Sequence, residues 1–178
     1  MLHSSYNVNR LIFDTKIYAC GIYETVIQKL IRGLKYHNQR ELAYYQAKFM
    51  WEYWKNIDTE IIYQVIPVPI FELRKKQRKY NHMELVAEEF CKLSGYDYNP
   101  EFIMRIKDTK PQYRLKRSER MENLNKAFKI NDEYKKDLPI LLIDDICTTG
   151  STFESIIQEL HNSGIYNITC LATSTVGN

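Results

Sequence analysis

The stretch Leu138–Thr152, LPILLIDDICTTGST, decides the fold. LPILLID is a continuous apolar run, the mark of a strand buried on both faces. ICTTGST breaks that run with small residues and Gly150, and STFESIIQELHNSG then repeats apolar positions at helical spacing up to Gly164. NITCLAT reads as the next strand. Strand, helix and strand in that order form a βαβ unit, which implies a parallel sheet.

The same stretch carries the chemistry. In parallel α/β sheets, ligands sit beyond the carboxyl ends of the strands. There Gly150 allows a tight turn, and small neighbours leave backbone amides accessible. Amides at a helix start, with the helix dipole behind them, favour a phosphate. Thr148, Thr149, Ser151 and Thr152 add hydroxyl donors. Asp144 and Asp145 cannot face that same phosphate, because like charges at contact repel. They need donors or a cation, and a ribose diol supplies donors. A phosphate at one end and a diol a few ångströms away describe a ribose 5-phosphate. The P-loop pattern lacks its lysine here and GxGxxG is absent. A plainer reading stays open, in which Asp145 caps the turn and TTGST is an ordinary helix start.

Working outward, the whole chain alternates strand and helix. NRLIFDTKIYACG reads as one strand ending near Gly21. Ile22, Val26, Ile27, Leu30, Ile31 and Leu34 predict a helix. A second helix is expected from Asn38, with Glu41 completing a capping box, to about Lys55. Leu42, Tyr45, Phe49 and Tyr53 form its stripe, with Met50 and Trp54 beside it. EIIYQVIPVP is a buried strand and FELRKKQRKYNH a basic loop. Asn81 caps a helix that carries Leu85, Val86, Phe90 and Leu93 and closes at Gly95. EFIMRI is a short strand. Lys107 to Lys136 is polar, charged and long for a plain connection.

A chain of 178 residues is expected to form one domain, 1–178. Its net charge of +3 does not by itself imply nucleic acid. Cys20, Cys91, Cys147 and Cys170 form no CxxC pair, so no zinc framework is read, and isolated thiols fit the cytoplasm. No secretory signal or bilayer-length apolar run is read, so no membrane insertion is expected. His37, His82 and His161 show no ligand spacing and read as incidental. Cys147, though near a helix start, reads as inert. The aromatic run YYQAKFMWEYW could stack single-stranded DNA, and core packing explains it more simply.

LLIDDICTTGST resembles the signature of the type I phosphoribosyltransferases: an apolar strand, two acids, two variable residues, then T-T/G-G-x-T. VIPVPI, a basic segment and RKYNHMELVAEEF resemble the ComF family's V-P-V-P and R-G-F-N-Q-x-x-x-L-A. Arg105, Thr109, Gln112, Leu115, Arg120, Asn123, Ala127 and Phe128 fall on that family's R-x-x-x-T-x-x-Q pattern and its continuation to A-F. IRGLKYHNQRELA is similar to its K-Y stretch. The likeness runs from about Ile22 onward. Three departures stand out. The four-cysteine N-terminal zinc module found in many members is absent, Lys79 replaces a Gly, and His82, still able to donate a hydrogen bond, replaces a Gln.

The resemblance implies a type I phosphoribosyltransferase-like α/β fold: a mostly parallel sheet flanked by helices, with a flexible loop, 107–128, over the site. It implies a Mg2+-dependent enzyme using 5-phosphoribosyl 1-pyrophosphate, acting in DNA uptake during natural transformation. Thr148, Thr149, Gly150, Ser151 and Thr152 would cradle the 5-phosphate, and Asp144 and Asp145 would hold the ribose hydroxyls. Magnesium would be held mainly by the substrate, with Asp144 and Asp145 as candidate protein contacts. Arg74, Arg78 and Arg120 would neutralise the pyrophosphate, and Gln112 and Asn123 would contact substrate from the loop. A non-catalytic phosphoribosyl pyrophosphate or nucleotide sensor, or a competence factor handling single-stranded DNA or docking with competence-machinery proteins, stands beside this reading.

Overall fold

A computed structural model describes residues 10–107 and 127–177. Strand β1 (Arg10–Ile12) and β2 (Thr15–Ala19) precede helices α1 (Thr25–Tyr36) and α2 (Leu42–Trp54). Next come β3 (Gln64–Pro67), α3 (Glu72–Arg78), α4 (His82–Ser94) and β4 (Asp97–Tyr98). Then follow β5 (Ile103–Arg105), β6 (Phe128–Ile130), β7 (Ile140–Cys147), α5 (Ser151–Asn162) and β8 (Ile168–Thr175). The main sheet has the order β1-β2-β8-β7-β3-β4. All its pairings are parallel except β1 with β2, while β5 and β6 make a separate antiparallel ribbon. The expected mixed α/β architecture, a mostly parallel sheet between helices, is present.

Both faces of the sheet are covered, which explains the unbroken apolar run in β7. On one face Leu34, Ala47, Met50, Trp54, Val86 and Phe90 from α1, α2 and α4 pack on Val65, Leu141, Ile143 and Leu171. On the other, Phe153, Ile156, Ile157 and Leu160 from α5, with Phe102, Ile103 and Phe128, pack on Ile66, Ile140, Leu142 and Cys170. The two crossovers leave in opposite directions. From β3 the chain passes through α3 and α4 to β4; from β7 it passes through α5 to β8. β3 and β7 are neighbours, so their carboxyl ends flank a crevice where the strand order reverses, the usual ligand position in such sheets.

Several local expectations need correction. The first strand is a hairpin, because Phe13 and Asp14 take left-handed φ of 47° and 63° and turn the chain back in two residues. α1 begins at Thr25, three residues after Ile22, and Val26 faces solvent. α2 begins at Leu42 with no side-chain cap, so Asn38 and Glu41 form no capping box. Its buried face is Ala43, Gln46, Ala47, Met50 and Trp54, while Tyr45 is exposed. The supposed basic loop contains helix α3. The expectation for α4 stands: the Asn81 side chain accepts from the Met83 amide, and Gly95 closes the helix at φ 73°. Of the aromatic run, Trp54 is core and Trp51 stacks edge-on against Phe90, whereas Tyr44 and Tyr45 face solvent.

Candidate functional site

The β3 ladder ends level with Ile143, whose carbonyl accepts from the Val68 amide at 2.9 Å. Asp144 and Asp145 are the next residues of β7, so they stand at the mouth of the crevice. Successive side chains on a strand point to opposite faces. Asp145 therefore follows Leu141 and Ile143 toward α1 and α4, and Asp144 follows Ile140 and Leu142 toward the α5 face.

Asp145 is buried, 5% exposed. Its Oδ2 forms an ion pair with Lys35 Nζ from the last turn of α1. The same oxygen lies 2.5 Å from Nε2 of His82, in the first turn of α4. Behind it, Ser174 Oγ donates to the Asp145 carbonyl at 3.1 Å. Burial alone would raise the Asp145 pKa; the Lys35 charge and the His82 hydrogen bond outweigh it and hold the carboxyl below its usual range. For Lys35, burial pulls downward, and the Asp145 and Asp144 charges win and raise the ammonium. Asp144 is half-buried and accepts from the Asp145 amide at 2.8 Å. Burial, then repulsion from Asp145, pushes it up, and Lys35 and Arg105 offset only part of this.

The turn after β7 leads from the strand end through Gly150 into α5. Thr175 Oγ1 donates to the Cys147 carbonyl at 2.8 Å, fixing the strand end. Cys147 is buried, and Thr148 is exposed. Gly150 adopts φ 83°, ψ 1°, and its carbonyl accepts from the Glu154 amide at 2.8 Å as α5 begins. The hydroxyls of Thr149 and Ser151 are 2.6 Å apart, and Thr152 is half-buried in the first turn. The turn and Asp144 are thus adjacent, while the Asp145 carboxyl is turned to the other face.

Across the crevice, α3 carries Arg74, half-buried, and ends at Arg78. Lys75 of α3 pairs with Glu84 of α4 at 2.9 Å. The link between these helices is anchored residue by residue. Lys79 takes φ 68°, the left-handed region that favours glycine. Tyr80 Oη donates to the Leu34 carbonyl at 2.5 Å, under the guanidinium of Arg40, whose Cζ is 4.6 Å from the ring centroid. Asn81 Nδ2 donates to the Val68 carbonyl at 3.2 Å. Gln112, Arg120 and Asn123 lie outside the described residues.

Lys35 was missed from the sequence; His82, which shows no ligand spacing but can donate a hydrogen bond at the position of the Gln, contacts Asp145. One signal existed for Lys35. It falls four residues after Ile31 and one after Leu34, on the buried side of α1, where a lysine needs an acid.

No family model matches the chain. Individual proteins do. It is 28% identical over 160 residues to Competence protein F of Haemophilus influenzae, covering 86% of this chain and 69% of that one. Against DNA utilization protein YhgH of Salmonella typhimurium it is 25% identical over 146 residues, covering 80% of this chain and 64% of the relative. The YhgH protein of Escherichia coli K12 is 24% identical over 151 residues. These likenesses support the resemblance to the ComF family. The chain spans about two thirds of the length of the relatives it matches. Among its described residues no helix is long and apolar enough to cross a membrane.

Proposed function

We propose that this chain binds 5-phosphoribosyl 1-pyrophosphate and transfers its phosphoribosyl group, in support of competence or DNA utilization like that named for its relatives. The observation that carries the reading is the reversal of strand order between β3 and β7. Beyond it lie an acid, a left-handed glycine turn and a helix start in direct succession. That order matches a ligand with hydroxyls at one end and a phosphate at the other. The type I phosphoribosyltransferase fold belongs to the same proposal. So does a cytoplasmic place of action, which suits four free cysteines, all buried.

In this mechanism the turn Thr148 to Thr152 and the α5 dipole hold the 5-phosphate. Asp144 accepts a hydrogen bond from a ribose hydroxyl. An acceptor nitrogen attacks the anomeric carbon as pyrophosphate leaves, and basic groups near the departing charge favour that state more than the ground state. Arg74 and Arg78 on α3 and Arg120 are the residues assigned to it. The segment between β5 and β6 is assigned as the cover that excludes water, ending before Ala127 and Phe128, which are buried in the core and so fall outside the expected loop 107–128. Among the described residues no three His, Cys, Asp or Glu side chains cluster to hold a metal. A half-buried carboxylate beside a phosphate turn fits a magnesium ion that arrives on substrate phosphates. When bound, that ion would add positive charge at the pyrophosphate.

The test is pyrophosphate release by the purified chain with magnesium, phosphoribosyl pyrophosphate and candidate nitrogen acceptors. Release that needs Asp144 and Gly150 supports an enzyme. Tight binding with no release under any acceptor supports the sensor alternative.

A further inference from the structure

The adjacent acids of β7 have unequal surroundings. Asp145 already has two strong partners on one oxygen, Lys35 and His82, in a site sealed by α1 and α4. Asp144 points to the opposite face beside the α5 turn, where its carboxylate accepts from the Asp145 backbone amide. A carboxylate that swung from Asp145's place to a ligand would leave a buried lysine charge without its counter-charge, a costly exchange. We propose that the two acids divide the work: Asp144 is the ligand carboxylate, and Asp145 is a positioning residue clamped by Lys35 and His82. This rests on the ribose phosphate reading of the site and deepens it.

The clamp has a structural task of its own. It ties three elements together at the carboxyl edge of the sheet: the last turn of α1, the first turn of α4 and β7. His82 directly follows Asn81, whose side chain holds the Val68 carbonyl at the end of β3. Tyr80, one residue earlier, holds the last turn of α1 through the Leu34 carbonyl. Fixing His82 on Asp145 therefore fixes both walls of the crevice relative to β7. Its ring Nε2 is the atom in contact, and a glutamine amide nitrogen can occupy a similar place. That predicts a selective rescue: His82→Gln keeps the clamp and His82→Ala loses it.

The experiment is calorimetric titration with ribose 5-phosphate, alongside thermal unfolding and imidazole NMR of His82. Asp144→Asn should weaken ribose 5-phosphate about tenfold or more, with no loss of thermal stability. Lys35→Met/Asp145→Asn, which removes both charges at once and leaves His82 a polar partner, should lose clearly less affinity than Asp144→Asn. It should also unfold at a higher temperature than Lys35→Met alone. Addition of ribose 5-phosphate should leave the His82 Nε2 resonance in place. Movement of that resonance to its position in Asp145→Asn, or an equal loss of affinity in the double variant and Asp144→Asn, would overturn the division. If ribose 5-phosphate fails to bind wild type, the ligand role of Asp144 falls with the functional reading. The clamp is then judged by unfolding alone: additive effects of Lys35→Met and Asp145→Asn, with no advantage of His82→Gln over His82→Ala, would reject it.

Discussion

Nε2 of His82 and Oδ2 of Asp145 sit 2.5 Å apart, 63 positions apart in sequence, with Lys35 closing on the same oxygen. Removing one member of a buried charged cluster leaves the others stranded. Lys35→Met should therefore lower unfolding free energy by about 3 kcal/mol, measured by urea titration. A change below about 0.5 kcal/mol would mean the pair is exposed and screened in solution.

Lys79 holds a left-handed backbone that side chains strain to adopt, and it is exposed. Lys79→Gly should raise stability by about 0.5–1 kcal/mol, and Lys79→Ala should change it little. Thermal unfolding of the two variants side by side checks this. A destabilised Lys79→Gly would contradict the turn geometry.

Gly150 has the same conformation, with φ 83°, where the chain must turn into α5. Gly150→Ala should cost about 1–2 kcal/mol in stability from backbone strain alone. It should also weaken inorganic phosphate and ribose 5-phosphate, because the amides of the turn shift. A variant that is stable and binds normally would move the phosphate site elsewhere.

The acid pair gives opposite pH signatures. Asp145 is held below its usual value, so its contribution is present above the unfolded value and fades as acid protonates it. Asp144 is pushed up to about 7, so the folded state keeps a proton that the unfolded chain releases near pH 4 or so. Its ionisation therefore costs stability progressively between those limits and no further above them. Stability of Asp144→Asn relative to wild type should rise from about pH 4 to about pH 7 and then level off. A flat difference would show that Asp144 is solvated and charged throughout.

What was legible in the sequence follows from which forces are local. β7, its turn and α5 could be read because burial on two faces writes an unbroken apolar run, and an amphipathic helix writes its period. Asn81 and Gly95 could be read because caps act over three or four residues. α3 was hidden. ELRKKQR has no apolar stripe or side-chain cap, and its Lys75 is held by Glu84 from the next helix. The stripe of α2 was partly legible: Leu42, Phe49 and Tyr53 pack at the edge of the core, but Tyr45 is exposed, and the fully buried side is chosen by small Ala43 and Ala47, which admit neighbours closely. Spacing also suggested that both acids face one ligand. Strand alternation sends them to opposite faces, and the partners of Asp145 come from helices far away in sequence.

The most direct test of the central claim is one calorimetric titration of the purified chain with phosphoribosyl pyrophosphate and magnesium. A saturable isotherm is expected, with affinity in the roughly micromolar to millimolar range usual for substrates. It should be lost in Gly150→Ala and weakened about tenfold or more in Asp144→Asn. No heat of binding in wild type, or an isotherm unchanged by both substitutions, would contradict a phosphoribosyl site at the end of β7.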